Sequence, residues 1–174
     1  METLASEEGI RIRSRESGSR VGRGSIAGIP VVLALPQTYM NASGEAVHAL
    51  CQQNGIDPAG ICVVYDDVDL PLGALRIRPR GSAGTHNGMR SVVGRMGPDI
   101  PRLRLGVRGD RYATGRDLAD YVLEGFLPEE KEVFEGTVAR ALDVLRVWLS
   151  EGIDAAMRNA NFIPSSPGGD TRPD

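Results

Sequence analysis

Apolar positions along the chain fall into two alternating patterns, one repeating every second residue and one every third to fourth. Met1 to Ile10 reads as a helical fragment, with Leu4 as its main apolar residue and Gly9 as its stop. Arg11 to Arg20 is polar and basic, and Val21 to Ala27 and Ile29 to Leu35 then read as two strands joined at Gly28. The second, IPVVLAL, is apolar on both faces, which predicts a central strand. Pro36 ends it, and Asn41 or Ser43 is placed to cap a helix whose apolar stripe is Ala46, Val47, Leu50 and Cys51. Asn54 to Gly60 turns the chain into a buried strand, Ile61 to Val64, which runs into Asp66, Asp67 and Asp69. Leu75 to Arg78 alternates as a half-buried strand, with Leu75 and Ile77 on one face and Arg76 and Arg78 on the other. Met89, Val92, Val93 and Met96 have helical spacing; Leu103, Leu105 and Val107 alternate with Arg102, Arg104 and Arg108 in another strand. A short helix follows around Asp117 to Glu124. Pro128 opens the longest helix, predicted to bury Val133, Val138, Ala141, Leu142, Leu145, Trp148 and Leu149, and Ala155 to Phe162 adds a last helical turn. Strands alternating with helices predict one α/β domain over residues 1–163, and 164–174 reads as a flexible tail.

Composition agrees with a single compact domain: 174 residues, 41% hydrophobic and 25% charged. No apolar run approaches the roughly 18 residues of a membrane span, and Met1 to Glu8 lacks the basic and apolar regions of a secretory signal, so a cytoplasmic location is expected. Cys51 and Cys62 sit in apolar stretches and read as reduced packing residues. A net charge of −3 argues against indiscriminate nucleic-acid binding. The average hides an asymmetry, however. From Arg76 to Arg116 only Asp99 and Asp110 oppose a run of arginines, whose planar forks suit phosphate oxygens. A phosphate-bearing substrate is the expectation that follows.

The polar chemistry concentrates in Ile61 to Gly88. Three carboxylates crowd the end of a buried strand, where open α/β sheets bind ligands. Gly81, Gly84 and Gly88 shape a turn that carries His86 and Asn87 into a helix N-terminus, a place suited to phosphate or a developing oxyanion. Asp67 and Asp69 read as turn caps, Arg76, Arg80 and Arg102 as solvated neighbours, and His48 as a boundary residue. A rival reading makes Asp66, Asp67 and Asp69 a magnesium site for phosphoryl chemistry.

The segments MNASG, YDDVDLPLG, GSAGTHNGMRS and PRLRLGV, in that order between the same elements, resemble bacterial peptidyl-tRNA hydrolase from Val21 to about Phe162. The resemblance implies a monomeric α/β domain with a mixed, twisted sheet between helices. It implies a hydrolase that cleaves the ester between a peptide and the 3′ end of transfer RNA, with no metal and no cofactor. Carried over by position, Asp66 matches the carboxylate that orients a catalytic histidine, and Asn41 and Asn87 the amides that hold substrate and attacking water. Tyr39 and Met40 stand in the peptide and 3′-end site, Arg78 and Arg104 match phosphate-clamping positions, and His86 is supportive. The family opens with an apolar strand, a glycine- and asparagine-containing turn, and a general-base histidine. None of these precedes Met1, and METLASEEGI resembles the helix that follows that histidine. Open sheet edges, lower stability and much reduced activity are therefore expected, a start site placed too late being the simplest cause. The alternative is a transfer-RNA-binding module with impaired catalysis.

Overall fold

The computed structural model describes residues 1–112 and 118–160. In chain order the elements are α1 (Glu2–Glu7), β1 (Ser14–Glu16), β2 (Ser19–Ile26), β3 (Ile29–Pro36), α2 (Ser43–Asn54), β4 (Val63–Pro71), β5 (Leu75–Arg78), α3 (Asn87–Met96), β6 (Arg102–Arg108), α4 (Leu118–Leu123), α5 (Pro128–Glu151) and α6 (Ile153–Ala160). The strands form two three-stranded sheets, in the orders β1-β2-β3 and β4-β6-β5. The first is an antiparallel meander; the second is mixed, β6 running parallel to β4 and antiparallel to β5.

Both sheets contribute to one core. Ile26 and Leu33 from the first and Leu75, Ile77, Leu103 and Leu105 from the second pack with Leu4 of α1, Leu142 and Leu145 of α5, and Ala156 of α6. Helices α2 and α3 pack against each other, and Gly44 is what lets them approach. A Cβ there would lie 2.2 Å from the Ser91 carbonyl oxygen, while the Gly44 N–H donates to Ser91 Oγ at 2.9 Å. Pro128 starts α5, and the Glu130 carboxylate accepts the Leu127 N–H at 2.9 Å, capping that end.

Strands β3 and β4 are each the last strand of their sheet. Between them lies a cavity of about 520 Å³, lined by Val31, Leu33, Val63 and Val64 on the strands and by Leu50, Val92 and Trp148 on helices. As an edge strand, β3 is not the central strand its composition suggests. Of its residues only Leu33 is buried, and one of its edges borders the cavity.

Four further expectations are corrected. A short strand, β1, lies inside the basic stretch Arg11 to Arg20, formed by pairing with β2 rather than by any apolar pattern of its own. Strand β4 begins two residues later than predicted and continues through the acidic run to Pro71, because its neighbour β6 offers a pairing partner that far. Val133 is 46% exposed, and its neighbour Phe134 takes up the packing in the first turns of α5. The N-cap residue of α2 is Ala42, not Asn41 or Ser43, because a 3-10 turn at Met40–Ala42 leads into the helix. The segment 164–174 and the first residues of the predicted helix near Asp117 lie outside the described residues. Among the described residues, no helix is long and apolar enough to cross a membrane.

Candidate active site

The cavity between the half sheets is lined in part by Met40, Asp66, His86 and Gly88, which come from three separate segments. Asp66 sits on β4 beside β6, and its Oδ1 lies 3.8 Å from His86 Nε2. His86 is the N-cap of α3, and its Nδ1 accepts the Met89 backbone N–H at 3.1 Å. That bond places the proton of a neutral imidazole on Nε2, the nitrogen facing Asp66. The imidazole N–H holds the Asp66 carboxyl below its usual range, outweighing the burial that pushes it up. The His86 ring also lies against Tyr65, with centroids 4.7 Å apart.

Asn87, the first residue of α3, is flanked by His86 and Gly88. Its Oδ1 faces Arg90 Nη1 at 3.4 Å, and Arg90 Nε donates to the Gly84 carbonyl at 3.3 Å. The Asn87 amide nitrogen is thereby directed away from Arg90, available to donate to a ligand oxygen. Gly88 allows a second close approach: a Cβ there would lie 2.6 Å from Met40 Sδ. The turn bearing Tyr39, Met40 and Asn41 can therefore lie on α3. Tyr39 is 88% exposed and Met40 55%, so neither is core packing. Ser43 Oγ donates to the Met40 carbonyl, and no side chain caps α2, which relieves Asn41 of the structural task expected of it. Neither asparagine lines the cavity itself; each adjoins residues that do.

The arginine rows occupy one face of the second sheet, Arg76 opposite Arg104 and Arg78 opposite Arg102, with Tyr65 beside Arg104. Their circumstances differ. Arg104 is bound to the buried Asp67 carboxylate, which also accepts the Asp69 N–H. Arg78 is half-buried and donates to its neighbour's carbonyl. Arg102, expected to be solvated, is 2% exposed. The alternation with leucines pointed it outward correctly, but the glycine-rich turn covers that side. The carboxylates Asp66 and Asp67 thus have different partners rather than a common focus. His48 lines a separate depression with Asp57 and Arg95. Sequence reasoning missed Tyr65, Arg90 and the burial of Arg102; only Arg90, three residues after Asn87 on one helix, carried a readable signal.

The chain is thus an α/β domain with an Asp66–His86 contact at the cavity and an arginine-bearing sheet face beside it. The family model described as peptidyl-tRNA hydrolase matches residues 1–167. The peptidyl-tRNA hydrolase of Chloroflexus aggregans is 50% identical over 163 residues, covering 92% of this chain and 86% of the relative. That of Roseiflexus castenholzii is 50% identical over 166 residues, covering 94% and 77%. The solved structure of a peptidyl-tRNA hydrolase in complex with N-propanol matches with a TM-score of 0.86 at 31% identity, over 94% of this chain and 84% of that one. The crystal structure of peptidyl-tRNA hydrolase from Acinetobacter baumannii matches with a TM-score of 0.85 at 32% identity, over 92% and 81%. The chain belongs to the peptidyl-tRNA hydrolase family, whose members are carboxylic ester hydrolases.

Proposed function

We propose that this chain acts on peptidyl-tRNA, or on transfer RNA carrying an N-blocked aminoacyl group, by hydrolysing the ester to the RNA. Water adds to the ester carbonyl, the carbon–oxygen bond to the 3′-terminal ribose breaks, and the ribose hydroxyl leaves with a proton. The observation that supports this most directly is the Asp66–His86 contact at an opening bordered by the Asn87 and Met40 turns. Asn87 donates from its amide nitrogen to a substrate or water oxygen, Asn41 holds the substrate from the facing turn, and backbone N–H groups at the start of α3 stabilise the oxyanion. Tyr39 and Met40 offer exposed apolar surface to the peptide and terminal base. Arg78 binds phosphate; Arg104, already paired with Asp67, adds less to phosphate affinity than its charge suggests. The chain works as a cytoplasmic monomer without metal or cofactor.

A second reading, a transfer-RNA-binding module with little turnover, draws on the state of His86. Its Nδ1 is engaged by the Met89 N–H and its Nε2 proton faces Asp66, so His86 is not a free proton acceptor. Asp66 itself, held below the usual carboxylate range, is a weak base. A positioned general base is worth about 10²- to 10⁴-fold in rate. The test is single-turnover cleavage of an N-acetyl-aminoacyl-tRNA by this chain and by its Asn87→Ala variant. Cleavage by this chain and its loss in Asn87→Ala are expected. Unchanged turnover in Asn87→Ala removes Asn87 from the mechanism, and salt-dependent binding with no product favours the second reading.

A further inference from the structure

The turn between β5 and α3 has no regular backbone pairing over most of its length, yet it must aim His86 and Asn87. Its firmest tie is a single buried cation. Arg102, at the start of β6, donates from Nη1 to the Ser82 carbonyl at 2.9 Å, from Nη2 to the Pro98 carbonyl at 2.8 Å, and from Nε to the Ile100 carbonyl at 3.1 Å. Among the described residues no carboxylate pairs with it. A buried charge without a counter-ion is tolerated only when its donors are satisfied. A guanidinium reaches three separate carbonyls because its donors are spread over a rigid plane, which an ammonium group cannot match. The Gly81 N–H adds a second tie to the Pro98 carbonyl at 3.1 Å, and Arg90 secures Gly84 from the α3 side.

We propose that Arg102 is a positioning residue, whose guanidinium staples the turn at Ser82 to the segment between α3 and β6 and thereby sets the aim of His86 and Asn87. Two of its three acceptors, Pro98 and Ile100, belong to its own approach to β6. Ser82 alone belongs to the turn, and it lies four residues before His86. Burial by itself would be served by an apolar side chain in this strand, as at Leu103. The arginine instead converts a glycine-rich turn into a fixed support for the α3 N-terminus. The catalytic weight given to His86 and Asn87 rests on the function proposed above; the staple itself does not.

The test uses Arg102→Lys and Arg102→Met. The chain has two histidines, so a long-range proton–nitrogen NMR spectrum resolves both imidazoles. In either folded variant the His86 nitrogens should leave the Nε2–H tautomer pattern while those of His48 stay in place. The Met89 amide, bound to His86 Nδ1, should exchange with solvent at least about tenfold faster, the loss expected for one well-made buried hydrogen bond. Cleavage of N-acetyl-aminoacyl-tRNA should lose kcat by about 10- to 100-fold with KM little changed. A folded Arg102→Lys protein that keeps the original His86 pattern and Met89 exchange rate overturns the proposal. Should both variants fail to fold, exchange in the unsubstituted protein decides. Arg102 Nε–H and the Met89 N–H should open at one free energy below that of the Leu103 amide, and independent opening overturns the staple. Absence of cleavage in the unsubstituted chain counts against the proposed function and leaves the imidazole and exchange measurements intact.

Discussion

The two three-stranded sheets are equal in strand number and built in opposite ways. Strands β1, β2 and β3 are consecutive and joined by two-residue turns, Ser17-Gly18 and Ala27-Gly28, all four residues at positive φ. That geometry matches the twist of a hairpin. Its Arg–carboxylate pair, Arg23 with Glu16, lies at the surface. Strand β6 instead pairs with β4 and β5 across the whole of α3, and two of its three arginines lie under cover: Arg104 on Asp67, and Arg102 on three carbonyls. The second half carries the candidate chemistry. Long-range pairing is what brings a strand end, a helix N-terminus and a basic row together, whereas local hairpins mainly extend the core.

The sharpest way to break this contrast is to remove one carboxylate from each half. Asp67→Ala leaves the Arg104 guanidinium partly buried and unpaired and should lower unfolding free energy by about 2–4 kcal/mol, measured by urea denaturation. Glu16→Ala should leave the midpoint nearly unmoved; equal effects would erase the distinction. The helical cover that spans both halves comes next. Gly44→Ala forces a Cβ against the Ser91 carbonyl and should cost about 1–3 kcal/mol, and a variant of unchanged stability would show that α2 shifts freely on α3.

A smaller effect, of opposite sign, belongs to the hairpin half. Ala27 is exposed and has φ of 50°, a region disfavoured for residues with a Cβ but tolerated by asparagine. Ala27→Asn should stabilise the protein by about 0.5–1 kcal/mol, and a destabilised variant would refute the turn assignment. The smallest effect concerns acid. The Asp66 carboxyl titrates below its ordinary value near 3.8 when folded. Its contribution to stability is therefore fully present above that value and is lost as pH falls through the lower folded one. Carbon-detected NMR should find Asp66 titrating low, and rising towards the ordinary value in His86→Ala. A carboxyl that titrates normally in the unsubstituted protein would remove His86 as its partner.

Residue order alone determined the elements with local causes. Leu75 to Arg78 was legible in full because alternation fixes which side chains face the core, and α3 because four apolar residues share a helical face. The hairpin at Gly28 was legible because a glycine there permits the turn. The three segments at or beside the opening were also readable: Tyr39 to Asn41, Asp66, and His86 to Asn87. What only the tertiary structure decided was occupancy. Arg104 and Arg102 stand in the same row of the same strand, yet one is neutralised by Asp67 and the other holds a turn. That difference depends on segments 37 and 20 residues away in sequence. It decided likewise that β3 borders a cavity, and that the proton of a neutral His86 faces Asp66. Periodicity records which way a side chain points; the partner it meets there is set by chain folded back from elsewhere.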